Sequence, residues 1–190
     1  SEQATAVMTP DTTERQHRVD HWFYIGAGVF VILLSIVGFG PSIIDQSRRN
    51  APPTPLVIAH GIVAGAWLLL FIVQAILVAT RRVAVHRRLG MVGPALAVVM
   101  IALGFFAVIN EVRRGYDLSG DITRVFTGAG FRWPNIAPLS SFLHFGVLVA
   151  AGLWYRHRPD IHKRLMLLAL TPLAAEPLSP FACHSIGHSP

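Results

Sequence analysis

The feature that most constrains this chain is where its charge is missing. Long stretches carry no Asp, Glu, Lys or Arg, and the charged residues gather in the short segments between them. Only 14 % of the 190 residues are charged, while 53 % are hydrophobic. A soluble domain carries about 25 % charge, so this sequence is short of the polar surface that water demands. Uncharged runs of bilayer length separated by charged turns are the pattern of membrane spans joined by loops. The fold class that follows is all-α: a polytopic helical membrane bundle with about five transmembrane helices.

The apolar runs set the boundaries. Residues 1–20 read as a polar cytoplasmic tail, without the short apolar segment and cleavage site of a removable signal peptide. The first span, about His21 to Ile44, then acts as an uncleaved anchor, which Pro41 bends or ends. It holds Gly26, Gly28, Gly38 and Gly40, small residues of the kind used at membrane helix contacts. The second span runs from about Pro55 to Thr80 and the third from about Leu89 to Asn110. Residues 111–138 form the longest loop. The fourth span covers about Leu139 to Tyr155. The fifth covers about Leu165 to Phe181, interrupted by Pro172 and Pro177. The last two apolar runs are only about 17 residues each, near the lower limit for crossing. Residues 21–182 thus make one transmembrane domain, followed by an outer C-terminal tail, 183–190.

The two densest basic segments are Arg81, Arg82, His86, Arg87, Arg88 and Arg156, His157, Arg158, His162, Lys163, Arg164. With five spans they share one side with the N-terminus, which holds Arg15 and Arg18. Cationic short loops stay in the cytoplasm. That places the N-terminus in the cytoplasm, with the long loop and the C-terminus outside; the expected location is a bacterial cytoplasmic membrane. The net charge of +6 is explained by this topology, so nucleic acid is not an expected partner. Membrane lipid, other membrane subunits or a redox partner are. The single cysteine, Cys183, excludes an intramolecular disulfide and a tetracysteine metal site.

A loose repeat joins spans two and three to spans four and five. His60-Gly61, Trp67 and His86-Arg87-Arg88-Leu89 are matched by His144-Phe145-Gly146, Trp154 and His162-Lys163-Arg164-Leu165. The histidines lie 26 residues apart in the first unit and 18 in the second. The bland alternative makes both turns mere basic anchors. Within the second span, His60, Trp67, Gln74 and Arg81 recur every seventh residue. A helix drifts only about 20° per heptad, so these four form one stripe, either a packing seam or the wall of a site.

His60 and His144 fall at similar depths toward the outer face, and a neutral histidine in hydrocarbon needs partners for its ring nitrogens. Axial bonds to one haem b iron would satisfy both; hydrogen bonds to neighbouring helices would do the same. His86 and His162 form a second matched pair at the cytoplasmic ends, where Arg87, Arg88 and Arg164 could meet haem propionates or lipid phosphates. Glu176 is the only acid inside a span after the first, a functional candidate by default, although it is wet if the fifth helix ends early. Cys183, His184 and His188 follow on the same outer face. With His60, His144 and Glu176 they could hold copper, zinc or iron. No nucleophile elbow, phosphate-binding glycine loop or catalytic acid pair is present, and no catalytic residue stands out.

The stretch from His60 to Gly90, reading HG, W, LF, Q and HRRLG, together with GFGPS at 38–42 and HKRLMLLA at 162–169, resembles a group of small uncharacterised bacterial multi-pass membrane proteins. The resemblance covers most of residues 22–170 and implies a compact helical membrane fold. More distantly, the placement of His60 with His144 and of His86 with His162 is similar to the two-haem layout of ascorbate-reducible b-type transmembrane cytochromes. The leading expectation is therefore a membrane b-type haem protein carrying electrons within or across the bilayer. The alternatives are a non-catalytic accessory or assembly subunit of a larger membrane complex, and a metal-dependent membrane oxidoreductase with an outer His/Glu/Cys site.

Overall fold

The computed structural model describes residues 10–45, 52–115 and 137–186. Seven helices make up these residues: α1 (Pro10–Ile44), α2 (Pro55–Ala79), α3 (Val83–Gly90), α4 (Val92–Arg114), α5 (Ala137–Trp154), α6 (Pro159–Leu168) and α7 (Leu170–Ile186). There is no strand among them. Three stretches, Trp22–Pro41, Pro55–Ala79 and Val83–Arg114, are long and apolar enough to cross a membrane. A shorter apolar helix covers Pro138–Trp154.

The five longer helices close into a ring. Each packs on two neighbours, in the order α1, α2, α4, α5, α7 and back to α1. Aromatic side chains fill the middle. Trp67 of α2 and Phe145 of α5 are only 2 % and 1 % exposed; their rings meet edge to face with centroids 4.8 Å apart. Phe71, Met100, Val31, Val149 and Leu170 complete the plug. The ring is therefore packed with side chains at mid-height.

Outside the plug the usual pattern of burial is inverted. Phe30, Ile62, Leu69, Val98, Phe106 and Leu143 all point outward and are exposed. Only 17, 17 and 28 % of the three long apolar windows is buried inside the chain. An apolar exterior of this extent does not suit water; lipid tails cover it at no cost.

Several boundaries differ from those read off the apolar runs. The backbone of α1 begins at Pro10, inside the expected polar tail, because helix formation does not stop where hydrophobicity does. It also runs through Pro41 to Ile44, and the Asp45 N–H still reaches the Pro41 carbonyl at 3.0 Å. The expected third span is α4, and the basic loop before it is itself largely helical, as α3, which meets α4 at Met91. The fifth begins at Pro159 as α6, turns at Ala169, and continues as α7 without interruption at Pro172 or Pro177. Pro172 falls in the first turn of α7, where its missing N–H has no partner to lose. Residues 1–9, the 46–51 segment with Arg48 and Arg49, and the 116–136 part of the long loop lie outside the described residues.

The long loop itself starts later than the apolar run suggests. Helix α4 continues past Asn110 to Arg114 and stops at Gly115, whose φ of 84° is a left-handed cap that glycine adopts freely. This extra turn buries Glu111 to 2 % exposure. Arg114 Nη1 donates to both carboxylate oxygens, at 3.0 and 3.1 Å. Thr54, the N-cap of α2, donates its hydroxyl to the same carboxylate at 2.8 Å while accepting from the Val57 N–H. One hydroxyl thus caps α2 and ties it to the end of α4. Thr54→Ala should cost about 2 kcal/mol, combining a lost cap with a lost bond to a charged group. Thermal unfolding in micelles would show it, and Thr54→Ser should keep most of the wild-type stability.

Candidate functional site

The two basic turns are built alike. Helix α2 ends in a double reverse bond: the Arg82 N–H reaches the Leu77 carbonyl at 2.8 Å and the Arg81 N–H reaches Val78 at 3.0 Å. Arg81 takes the left-handed position, φ 60°, where glycine is usual; its charge suits the negative end of the helix. Arg82 then caps α3, and the His86 N–H bonds its carbonyl at 3.0 Å. In the second turn Arg158 caps α6, and the His162 N–H bonds its carbonyl at 2.9 Å. Each histidine is the fourth residue of a short helix capped by an arginine.

Each histidine also folds back onto the preceding long helix. The His162 Nδ1–H donates to the Gly152 carbonyl of α5 at 2.7 Å. His86 Nδ1 meets Gln74 of α2. One orientation of that amide satisfies both of its ends: the nitrogen lies 2.5 Å from His86 Nδ1 and 3.2 Å from the His86 carbonyl, and the oxygen accepts from the Gly90 N–H at 2.8 Å. The space between helices is filled in complementary fashion. In the first turn a long Gln74 faces Gly90; in the second a long Met166 faces Gly152.

This fold-back corrects the register of the repeat. It places Gln74 opposite Gly152, and hence Trp67 opposite Phe145, the two fully buried aromatics. Trp154, matched with Trp67 from sequence, is 82 % exposed. His60 and His144 are then not equivalent positions; the sequence match between them rested on a shared His-Gly neighbourhood rather than on a shared face. The heptad stripe on α2 does turn inward: Trp67 is buried, His60 and Gln74 are half-buried, and Arg81 is exposed at the end.

His86 on α3 lies within electrostatic reach of His162 on α6. Arg87, Arg88 and Arg164 are exposed around them, while Lys163 pairs with Asp160 at 3.1 Å. The residues expected at the outer face are more scattered. His60 is half-buried, with Nδ1 donating to the Met100 carbonyl of α4 at 3.0 Å and its ring edge-on to Phe142 of α5. His144 is exposed, on the far side of α5 from the buried stripe of Phe142, Phe145 and Val149. Glu176 is half-buried on α7 and hydrogen-bonded to Ser141 of α5. The backbone of α7 includes Cys183 and His184, but their side chains, like His188, lie outside the described residues. Among the described residues no three His, Cys, Asp or Glu side chains gather as a metal group. An apolar groove of about 340 Å³ between α4 and α5 is lined by Ile101, Phe105, Phe142 and Leu143.

Hydrogen bonding fixes which ring nitrogens remain for a ligand. A histidine that donates from Nδ1 to a carbonyl presents an Nε2 lone pair, the arrangement of most metal-bound histidines. His60 and His162 have it. His86, accepting at Nδ1 from the Gln74 amide, carries its proton on Nε2 instead. Reversing that amide would offer its oxygen to Nδ1 and free the Nε2 lone pair. Gln74, Gly152 and Ser141 were not legible as partners from sequence, because a carbonyl or an amide bond across helices leaves no spacing signature.

No protein-family model, curated protein or solved structure matches the chain.

Proposed function

We propose that the chain is an integral membrane protein with α1, α2, α4, α5 and α7 as spans and the N-terminus in the bacterial cytoplasm, holding a b-type haem for electron transfer at the cytoplasmic end. What supports the haem reading is the placement of His86 and His162 at the same position of two arginine-capped short helices, within electrostatic reach of each other. With the Gln74 amide reversed the donor set fits: two imidazoles held at Nδ1 with free Nε2 lone pairs, and exposed Arg87, Arg88 and Arg164 nearby for propionates. Haem held by these residues would supply one-electron transfer between a donor and a redox partner. The chain's own part is to orient. The Gly152 carbonyl fixes the His162 ring, a reversed Gln74 amide would hold His86 in the tautomer with Nε2 free, and Arg87, Arg88 and Arg164 would pair with the propionates. The outer pair, His60 and His144, has less support, since only His60 faces the interior.

The absorption spectrum of protein purified from haem-replete cells tests this. A Soret band is expected, lost in His86→Ala and in His162→Ala and kept in His144→Ala. A band surviving both cytoplasmic substitutions but lost in His60→Ala would move the site to the outer half. No band on a fully loaded sample would sink the haem reading, and copper, zinc or iron without haem would favour the metal oxidoreductase.

A second reading, an accessory subunit of a larger membrane complex, has its own support. Gly61 and Gly65, one turn apart on α2, have nothing within 4 Å of where a Cβ would be. Small residues spaced this way let another helix approach closely. A colourless, metal-free protein that co-purifies with partner subunits would favour this reading.

A further inference from the structure

The end of the bundle that carries the two basic turns has a charge it does not balance. Residues 81–92 and 155–164 hold eight cationic side chains and one acid, Asp160, which already pairs with Lys163 at 3.1 Å. The N-terminal segment brings Glu2, Asp11, Glu14 and Asp20 against Arg15 and Arg18. Even with all four acids turned toward the basic turns, the excess would stay positive. Every arginine of the two turns is exposed.

Three of these guanidinium groups are not there to build the helices. Arg82 and Arg158 sit at the N-caps of α3 and α6, and neither side chain makes a capping bond. Caps are ordinarily short side chains with an acceptor oxygen, and a cation is misplaced at the positive end of a helix. Arg81 holds the left-handed backbone position, φ 60°, that glycine would take without strain.

Apolar side chains share the same surface. Neither α3 nor α6 buries a residue within the chain. Val83, Val85 and Met91 are exposed among the arginines of the first turn, and Leu168 is exposed at the end of α6. Trp22 of α1 and Trp154 of α5 are exposed near this end as well. Exposed tryptophans on an apolar bundle mark the level where headgroups meet acyl chains. A surface that shows valine, methionine and arginine together suits neither bulk water nor hydrocarbon. It suits that boundary, where apolar side chains enter the acyl region and arginines reach back to the phosphates.

We propose that the two basic turns bind acidic phospholipid headgroups, with Arg81, Arg82 and Arg158 as the principal contacts. Phosphate oxygens accept paired bonds from a guanidinium group, and the net negative charge of the lipid offsets the excess on the protein. These three arginines are separate from Arg87, Arg88 and Arg164, which the haem reading uses. The inference rests on the membrane placement of the bundle and not on haem, so a colourless protein leaves it standing.

Spin-labelled lipids test it on the full chain in phosphatidylcholine vesicles. The protein should restrict labelled phosphatidylglycerol with an affinity at least about fivefold above labelled phosphatidylcholine, the factor that one arginine supplies at an acidic surface. The combined variant Arg81→Gln, Arg82→Gln, Arg158→Gln should lose that preference. Arg113→Gln, exposed at the other end of α4, should keep it. In the wild type the preference should also weaken in roughly 1 M salt, where charges are screened beyond about 3 Å. A chain that floats with the neutral vesicles but restricts both lipids equally overturns this inference alone. So does a preference that survives the combined variant or the salt, or one lost only in Arg113→Gln. A chain that does not float with the vesicles overturns the membrane reading and this inference with it.

Discussion

Arg114→Ala should lower the stability of the chain by about 3 to 5 kcal/mol, the usual result of removing one partner from a buried ion pair. The cost lies in what is left behind. Glu111 has a side chain only 3 % exposed, and without Arg114 its charge would be met by the Thr54 hydroxyl alone. Arg114 itself is 31 % exposed, so Glu111→Gln, which leaves the arginine within reach of water, should cost less. The double variant Glu111→Gln, Arg114→Ala should regain much of the loss, because a neutral amide can share the Thr54 bond without a counter-ion. Thermal unfolding of the four proteins in the same micelles forms a double-mutant cycle. A small effect of Arg114→Ala alone would show that the carboxylate finds another partner and that α2 and α4 are not clasped here.

Gly38→Ala is the second substitution with a large expected effect. An added Cβ would stand 2.8 Å from Pro177 Cβ and 2.9 Å from Pro177 Cα, and closer still to the Pro177 carbonyl oxygen. These are atoms of a fully buried proline that cannot rotate aside, so α1 and α7 must part. Overpacking of this kind costs about 1 to 3 kcal/mol, and the upper end applies because backbone is struck. Other glycines calibrate the claim. Gly28→Ala would meet the Ile72 side chain at 2.7 Å, which has other rotamers, so its cost should be smaller. Gly61→Ala meets nothing and should be neutral, or stabilising by up to about 1 kcal/mol through helix propensity. Unfolding midpoints in that order, Gly38→Ala lowest and Gly61→Ala highest, are the expected outcome. A Gly38→Ala protein as stable as wild type would mean that the α1–α7 contact is looser than this.

Of the four glycines that the first span offered as contact residues, only Gly28 and Gly38 are pressed against a neighbour; Gly26 has nothing near it. Sequence shows that a small residue permits close approach, not which face of the helix another helix will choose. The same limit applies to the histidines. Their types and the basic company of His86 and His162 were visible, but the match of His60 with His144 followed sequence neighbours and not faces. In a helix, one residue of offset turns a side chain by about 100°. His144 therefore looks outward while Phe145, next to it, fills the core.

Glu111 shows a third limit. The apolar run ends at Asn110, so Glu111 reads as a loop residue. The chain instead adds one more helical turn, since Arg114 three residues on can neutralise the charge and Thr54, distant in sequence, supplies a bond. Partners that far apart become neighbours only after α2 and α4 pack antiparallel.

The sequence alone determined the class of structure. Uncharged runs of bilayer length leave helices as the economical way to satisfy every backbone group, and the apolar surface of those helices needs lipid or one another. It also located the two basic turns, because charge is excluded from the runs. The tertiary structure decided which residues meet: the closed order of the five long helices, the Trp67–Phe145 plug, the bonds of His86 to Gln74 and of His162 to Gly152, and the burial of His60 where His144 is exposed. Hydropathy is nearly uniform around these helices, so it cannot choose the inward face. That choice falls to shape and to a few cross-helix hydrogen bonds.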